Sequence, residues 1–234
     1  MKSDTYGNKV FGMKKIKISL AVISLVLCGC QKKYNYNKEC YIKTNYHYVE
    51  RCEQFIDHVQ SDKGCDIVFL GDSITEGYPL HIFFNEYKVA NRGINGDTTG
   101  GVIDRLEFSV YDLNPKVIYL MIGTNNLQTC LENYETILKG IKNYCPRSKV
   151  MLMSITPRWG EDLMAKIREI NVEIQKYAEN YGYFYANVFT PLTVNSENLV
   201  VNDELFADGL HPLTEGYRII TNVIKPTIIE WLKK

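Results

Sequence analysis

The sequence predicts an α/β domain in three layers, a parallel sheet with helices on both faces. Three observations carry that expectation: apolar runs of strand length without alternation, a helical pattern following them in turn, and turn residues at the junctions. A strand buried on both faces must be apolar at every position, whereas a sheet wetted on one side alternates. The chain has 234 residues, 45% hydrophobic and 12% aromatic, enough for one packed domain with an N-terminal extra. That composition excludes disorder, collagen and a polytopic membrane protein.

The elements follow in order. A mixed apolar and polar stretch from Tyr46 to about Gln60 predicts a helix, and Asp66–Leu70 is an apolar run ending at Gly71, the first buried strand. Tyr87–Asn91 is a second short strand. Val102, Leu106, Val110 and Leu113 give helical spacing over Thr99–Leu113, stopped by Asn114-Pro115. Lys116–Ile122 is the third strand, Leu131–Tyr144 a helix closed by Pro146, and Lys149–Ile155 the fourth strand. Glu161–Tyr181 reads as a long helix, Tyr183–Val188 as the fifth strand, and Leu213–Leu232 as a terminal helix with Pro226 inside it. No internal repeat, low-complexity tract or second-domain linker interrupts the pattern.

Ahead of this body, Met13–Lys17 is a short basic stretch and Ile18–Leu27 an apolar run of ten residues, too short for a mature membrane span. The run closes on Leu27-Cys28-Gly29-Cys30, which resembles the bacterial lipobox, where a small residue precedes the Cys that is acylated. The expected organisation is a signal peptide over 1–29 with its true start at Met13, a lipidated tether over 30–45 with Cys30 as the anchor, and the domain over 46–234. A flexible tether of that length has a root-mean-square span of roughly 20 Å. Gln31 after Cys30 is compatible with sorting to the outer membrane, so the expected location is the bacterial envelope, with the body outside the cytoplasm.

The 27 basic and 27 acidic residues leave no basic field to hold a phosphate backbone, so nucleic acid is not an expected partner. Without residues 1–29 the balance is 22 basic against 26 acidic, a formal charge of −4. Besides Cys28 and Cys30, five cysteines remain, an odd number, so at least one is expected free. Cys130 and Cys145 fall on one helix, about 22 Å apart and beyond disulfide reach. Cys40 with Cys52 is the one plausible pairing. No Cys-x-x-Cys or His-x-x-x-His spacing supports a metal site.

In a parallel α/β sheet, ligands sit at the carboxyl ends of the strands, so the segments after each strand hold the candidate chemistry. After the first comes Gly71-Asp72-Ser73-Ile74-Thr75-Glu76-Gly77, which puts Ser73 at a helix start, where N–H groups and the helix dipole favour developing negative charge. Alone, Gly-Asp-Ser is ordinary turn and N-cap chemistry. A serine nucleophile needs a base, and the four histidines are His47 near the tether, His58 on the first helix, His81 after the nucleophile turn, and His211. Only His211 has a carboxylate beside it in a loop: Asp208, three residues earlier, with Gly209 between them to make the turn. Two other loops offer donors for an oxyanion, Gly96 in Asn91–Thr99 through its backbone N–H and Asn125 in Gly123-Thr124-Asn125-Asn126 through its amide. Each also fits a plain turn or cap.

Taken together these residues resemble the GDSL, or SGNH, hydrolases, whose four blocks occur here in order across about 140 residues. The resemblance makes Ser73 the block I nucleophile, Gly96 the block II glycine, Asn125 the block III asparagine, and Asp208 with His211 the block V pair. It implies a flavodoxin-like α/β/α fold with a five-stranded parallel sheet, matching the strand count above. Ile74 stands where the family name has Leu, away from the reacting groups.

The implied chemistry is acyl transfer in two steps, with Ser73, Asp208 and His211 catalytic, an oxyanion hole of Ser73 and Gly96 N–H groups and the Asn125 amide, and no metal or organic cofactor. The expected substrates are acetyl esters on carbohydrates, which an exported lipoprotein meets. A lysophospholipase or thioesterase acting on longer chains is the alternative, and a glycan-binding surface protein without turnover the third reading. Arg158 and Trp159, after the fourth strand, are candidate substrate contacts, an Arg for a carboxylate and a Trp for a sugar face; a snorkelling Arg and a half-buried Trp are the plain alternative.

Overall fold

The structure is a computed structural model, and it describes residues 32–36, 45–61, 64–194 and 200–233. The signal segment, Cys30 and Cys40 lie outside the described residues. Residues 34–234 form one compact unit. Its elements are α1 (Tyr46–Gln60), β1 (Ile67–Gly71), α2 (Ser73–Glu76), α3 (Leu80–Phe83), β2 (Val89–Gly93), α4 (Thr99–Ser109), β3 (Val117–Met121), α5 (Cys130–Tyr144), β4 (Lys149–Met153), α6 (Glu161–Tyr181), β5 (Phe184–Ala186) and α7 (Thr214–Leu232). No described helix is long and apolar enough to cross a membrane.

The five strands pair in the order β2-β1-β3-β4-β5, all parallel. This order is the flavodoxin-like one, with its switch point between β1 and β3. Every residue of β1 and β3 is buried, as continuous apolar runs require when both faces are covered. Phe69 and Tyr119, adjacent in register, meet at a tilt at 4.8 Å, and Phe69 meets Tyr78, which stacks in turn on Tyr217 of α7 at 4.8 Å. Those rings fill one face, and α4, α5 and α6 pack in succession elsewhere on the sheet. Asn45 caps α1 by accepting from the Tyr48 N–H at 3.1 Å, Thr98 caps α4, and Gly182 ends α6 in the left-handed region.

The sequence-based elements are all present, several of them with shifted ends. β2 runs from Val89 to Gly93 rather than from Tyr87, because Tyr87 closes a turn onto the Phe84 carbonyl. Helix α4 stops at Ser109: Val110 leaves helical geometry, and Tyr111–Leu113 forms a separate 3-10 turn ending on left-handed Asn114. β5 is three residues long, since an edge strand keeps only the length that pairs with β4. The tether expectation needs correction at residues 34–36. Tyr34 and Tyr36 pack on Phe108 at 5.4 and 5.6 Å, joining a second core of Tyr48, Cys52, Phe55, Ile94 and Phe108. Aromatic rings with an apolar surface in reach do not stay solvated. The Cys40–Cys52 pairing is also corrected: Cys52 is a free, buried thiol in that core, its pKa pushed up to about 12 by burial. Cys65, Cys130 and Cys145 are free as well.

Candidate active site

The loops at the carboxyl ends of β1, β2 and β3 meet at one point, joined by the 206–213 loop that leads into α7. Gly71 ends β1 beside the β3 backbone: a side chain there would run into the Met121 carbonyl and Thr75. Glycine is needed there for close approach. Asp72, 1% exposed, caps α2 by accepting from the Ile74 N–H at 3.0 Å, which puts Ser73 in the first turn. Burial pushes the Asp72 carboxyl up to about 7, against the pull of its backbone hydrogen bond. Tyr217 of α7 holds the same turn by donating to the Ile74 carbonyl at 2.8 Å.

His211 reaches this turn from the opposite side. Its Nε2 lies 2.9 Å from Ser73 Oγ, and its Nδ1 lies 2.8 Å from Asp208 Oδ2. The other Asp208 oxygen accepts the backbone N–H groups of Leu210 and His211 at 3.1 and 2.8 Å, so the loop is wound around its own carboxylate. The His211 N–H first, then its ring, hold Asp208 down to about 2, a carboxylate at any ordinary pH. Gly209, at φ 72°, makes that winding possible.

Gly96 lies in an exposed turn at φ 74°, between Asn95 and Asp97. Asn125 Nδ2 donates to the Asp97 carbonyl at 2.9 Å, bringing the second and third loops together. Ser73 and His211 line one cleft with Asn95, Gly96 is the residue after Asn95, Asp208 is bonded to His211, and Asn125 is tied to the loop of Gly96 through Asp97. Arg158 and Trp159, expected at the substrate, are engaged by the protein instead: Arg158 Nη1 donates to the Thr124 carbonyl at 3.2 Å, and Trp159 Nε1 donates to Asp203 at 2.6 Å. The Trp159 ring packs on Gly209 and the Trp159 backbone N–H donates to the Gly209 carbonyl at 2.9 Å, so Trp159 braces the histidine loop. The ring remains 57% exposed.

Two residues that motif reading passed over hold the site together. Arg105 on α4, fully buried, clamps Asp97 Oδ2 through Nε and Nη2 at 2.9 and 2.7 Å and donates to the Gly71 carbonyl at 2.9 Å. Burial pushes the Asp97 carboxyl up and Arg105 opposes it. Glu76 accepts the Asn95 N–H at 2.6 Å and meets His47 at 2.9 Å and Arg51 at 3.5 Å. The open cleft, about 350 Å³, is lined by His47, Ser73, Glu76, Gly77, Asn95 and His211. A larger hollow of about 790 Å³ lies at the other end of the sheet, away from these groups. Among the described residues no three His, Cys, Asp or Glu converge as metal ligands do.

Residues 69–219 match the GDSL-like lipase/acylhydrolase family. The chain belongs to that family. It is 29% identical over 186 residues to the human platelet-activating factor acetylhydrolase IB subunit alpha2, covering 74% of this chain and 80% of that protein. The structure is similar to a GDSL-like lipase from Bacteroides thetaiotaomicron, with a TM-score of 0.67 and 27% identity over 78% of this chain and 97% of that one. It shares its fold with an acetylxylan esterase from Geobacillus stearothermophilus, at a TM-score of 0.57 and 20% identity, over 70% and 94% of the two chains. As a GDSL-like acylhydrolase the chain is an ester hydrolase, and the sheet with its parallel order is the SGNH fold.

Replacing Arg105 by Met leaves Asp97 buried without its partner, and urea unfolding is expected to show a loss of about 3–5 kcal/mol. Asp72 binds a proton in the folded state up to about pH 7 but in the unfolded chain only to about 3.8. Stability therefore falls as pH rises through that window, by at most about 4 kcal/mol. Asp72→Asn is expected to flatten that slope in unfolding titrations between these limits.

Proposed function

We propose that this GDSL-like hydrolase removes short acyl groups, acetyl above all, from carbohydrates, and that it works outside the cytoplasm of a bacterium, held to the envelope, in the outer membrane, by lipid on Cys30. The observation that carries the chemistry is the Asp208–His211–Ser73 relay, continuous at 2.8 and 2.9 Å. His211 Nε2 takes the Ser73 proton as Oγ attacks the ester carbonyl, while Nδ1–H stays on Asp208, which fixes the tautomer. The tetrahedral oxyanion is received by the N–H groups of Ser73 and Gly96 and by the Asn125 amide. That amide has two hydrogens, and only one is needed for its bond to Asp97. Collapse expels the alcohol, which takes the proton from His211 and leaves acyl-Ser73. Water, deprotonated by His211, then attacks the acyl carbon, and Ser73 leaves with the proton.

Short acyl groups are supported by the cleft itself: it is open, and among the described residues none of its lining side chains is aliphatic. A lysophospholipase or thioesterase would need an apolar channel beside Ser73. Sugar hydroxyls suit His47, Glu76 and Asn95 as hydrogen-bonding neighbours. The ester is the partner that this reading requires, membrane contact comes through the lipid, and the even charge balance supports no nucleic acid partner. A retained relay also speaks against a purely glycan-binding protein.

Hydrolysis of 4-nitrophenyl esters from acetate to palmitate is expected to fall steeply beyond butyrate, and Ser73→Ala to lower the acetate rate by about 10⁴-fold or more. Rates that peak at eight carbons or longer would point to lipid acyl chains and overturn the acetyl reading.

A further inference from the structure

The end of the sheet opposite Ser73 carries a second surface. Two neighbouring clefts, of about 790 and 720 Å³, open there at the starts of β3 and β4 and against the end of α7, sharing Lys149 and Trp231. Five cations line them, Lys116, Lys142, Arg147, Lys149 and Lys233, and among the described residues no carboxylate side chain does. Between the cations stand Tyr181, Tyr183, Phe184 and Trp231. Phe184 is 41% exposed and meets Trp231 edge-on at 5.8 Å, and Lys142 lies 5.5 Å over the Tyr181 ring. Asp66 and Asp112 at this end are engaged by Lys116 and Tyr34, while Glu107, Glu179 and Glu230 stand on the last turns of α4, α6 and α7. Among the described residues the cleft walls are cationic, with Lys116 shared with Asp66 and the carboxylates standing outside the walls.

The N-terminal segment meets the body at the same end. Tyr34 donates to Asp112 at 2.6 Å, and Asp112 belongs to the 3-10 turn just before β3. Beside it, Tyr111 stacks at 4.5 Å on Tyr144, which is 67% exposed and adjoins Cys145 in the cleft wall. Cys30, the anchor expected from the sequence, is four residues before Tyr34 in the chain.

We propose that this end is a membrane-facing surface, its cations and aromatic rings set against an anionic lipid headgroup layer, with the Ser73 cleft turned away from the bilayer. Lysine and arginine interleaved with Trp and Tyr are the side chains that suit such an interface, cations for the headgroups and amphipathic rings for the boundary. An acidic polysaccharide offers the same charge, but it gives no reason for the tether to enter here. β1 spans about 17 Å, so Ser73 stands at least that far above the lipid and meets esters dissolved in the aqueous compartment. The orientation takes its tether from the Cys30 anchor proposed above; the charged face does not depend on it.

The chain has two tryptophans, Trp159 beside the histidine loop and Trp231 in the cationic face. The test uses the mature chain with Cys30→Ser, so that no lipid contributes, and vesicles of phosphatidylcholine with or without phosphatidylglycerol. Binding is expected only with phosphatidylglycerol and is lost in high salt. A headgroup-region nitroxide lipid is expected to quench Trp231, read in a Trp159→Phe variant, and to leave Trp159 unquenched in a Trp231→Phe variant. Each cation contributes about fivefold to partitioning, so Lys116→Glu/Arg147→Glu/Lys149→Glu is expected to bind about a hundredfold more weakly or worse, with acetate hydrolysis unchanged. Equal binding to both vesicles, quenching of Trp159 as strong as that of Trp231, or retention on polygalacturonate without vesicle binding would each overturn the proposal. Palmitate labelling at Cys30 reads the anchor separately: its absence, with anionic vesicle binding intact, removes the anchor and leaves the surface.

Discussion

The candidate site depends on one buried ion pair. Arg105 and Asp97 are both out of water, and their contact joins the end of β1, through the Gly71 carbonyl, to the loop after β2. The Asp97 carbonyl then receives Asn125 from the loop after β3. Three chain segments far apart in sequence are fixed to one another by a guanidinium and a peptide group. A buried pair of this kind gives little net stability against an apolar substitute, because desolvation offsets most of the attraction. What it supplies here is position: two bonds from one guanidinium to a single carboxylate oxygen, and a third to the strand end, leave the loops few alternative placements.

The sheet explains why such a clamp is needed. In the order β2-β1-β3-β4-β5, the connections leave β1 and β3 in opposite directions and open a crevice above their carboxyl ends. Ser73 comes from one side of that crevice and Asn125 from the other, while His211 arrives from the loop before α7. Crevice residues come from loops, and loops move unless something ties them. Here the ties are Arg105 below, Glu76 at Asn95, Tyr217 on the Ser73 turn, and Trp159 against Gly209.

Much of this was legible in the sequence, and the parts that were not share a cause. Continuous apolar runs such as Val117–Met121 mark strands buried on both faces, and Glu161–Tyr181 is periodic over its whole length, so its ends were readable to the residue. The motif residues Ser73, Gly96, Asn125, Asp208 and His211 announced themselves because their chemistry is local: a turn, a cap, a carboxylate three residues from a histidine. Arg105 looked like any helix arginine, since its partners lie at Gly71 and Asp97 and become visible only when the helix is laid on the sheet. Trp159 showed the chemistry of a sugar platform and turned out to be packed on a loop that the sequence places fifty residues later. Tyr34 and Tyr36 sat in a polar stretch, and no periodicity marks two rings that find Phe108 in the folded body. Short helices α2 and α3, one turn each, are below the length at which a pattern can be told from a turn.

In the proposed mechanism Ser73 forms the covalent bond to the acyl group and His211 makes it able to. Intact-mass and peptide analysis after treatment with a fluorophosphonate tests it most directly. A single adduct on Ser73 is expected, formed quickly by the unaltered protein and at least a hundredfold more slowly by His211→Ala, with the fold of that variant intact by circular dichroism. An adduct on another serine or threonine, or labelling of Ser73 at the same rate without His211, would contradict it.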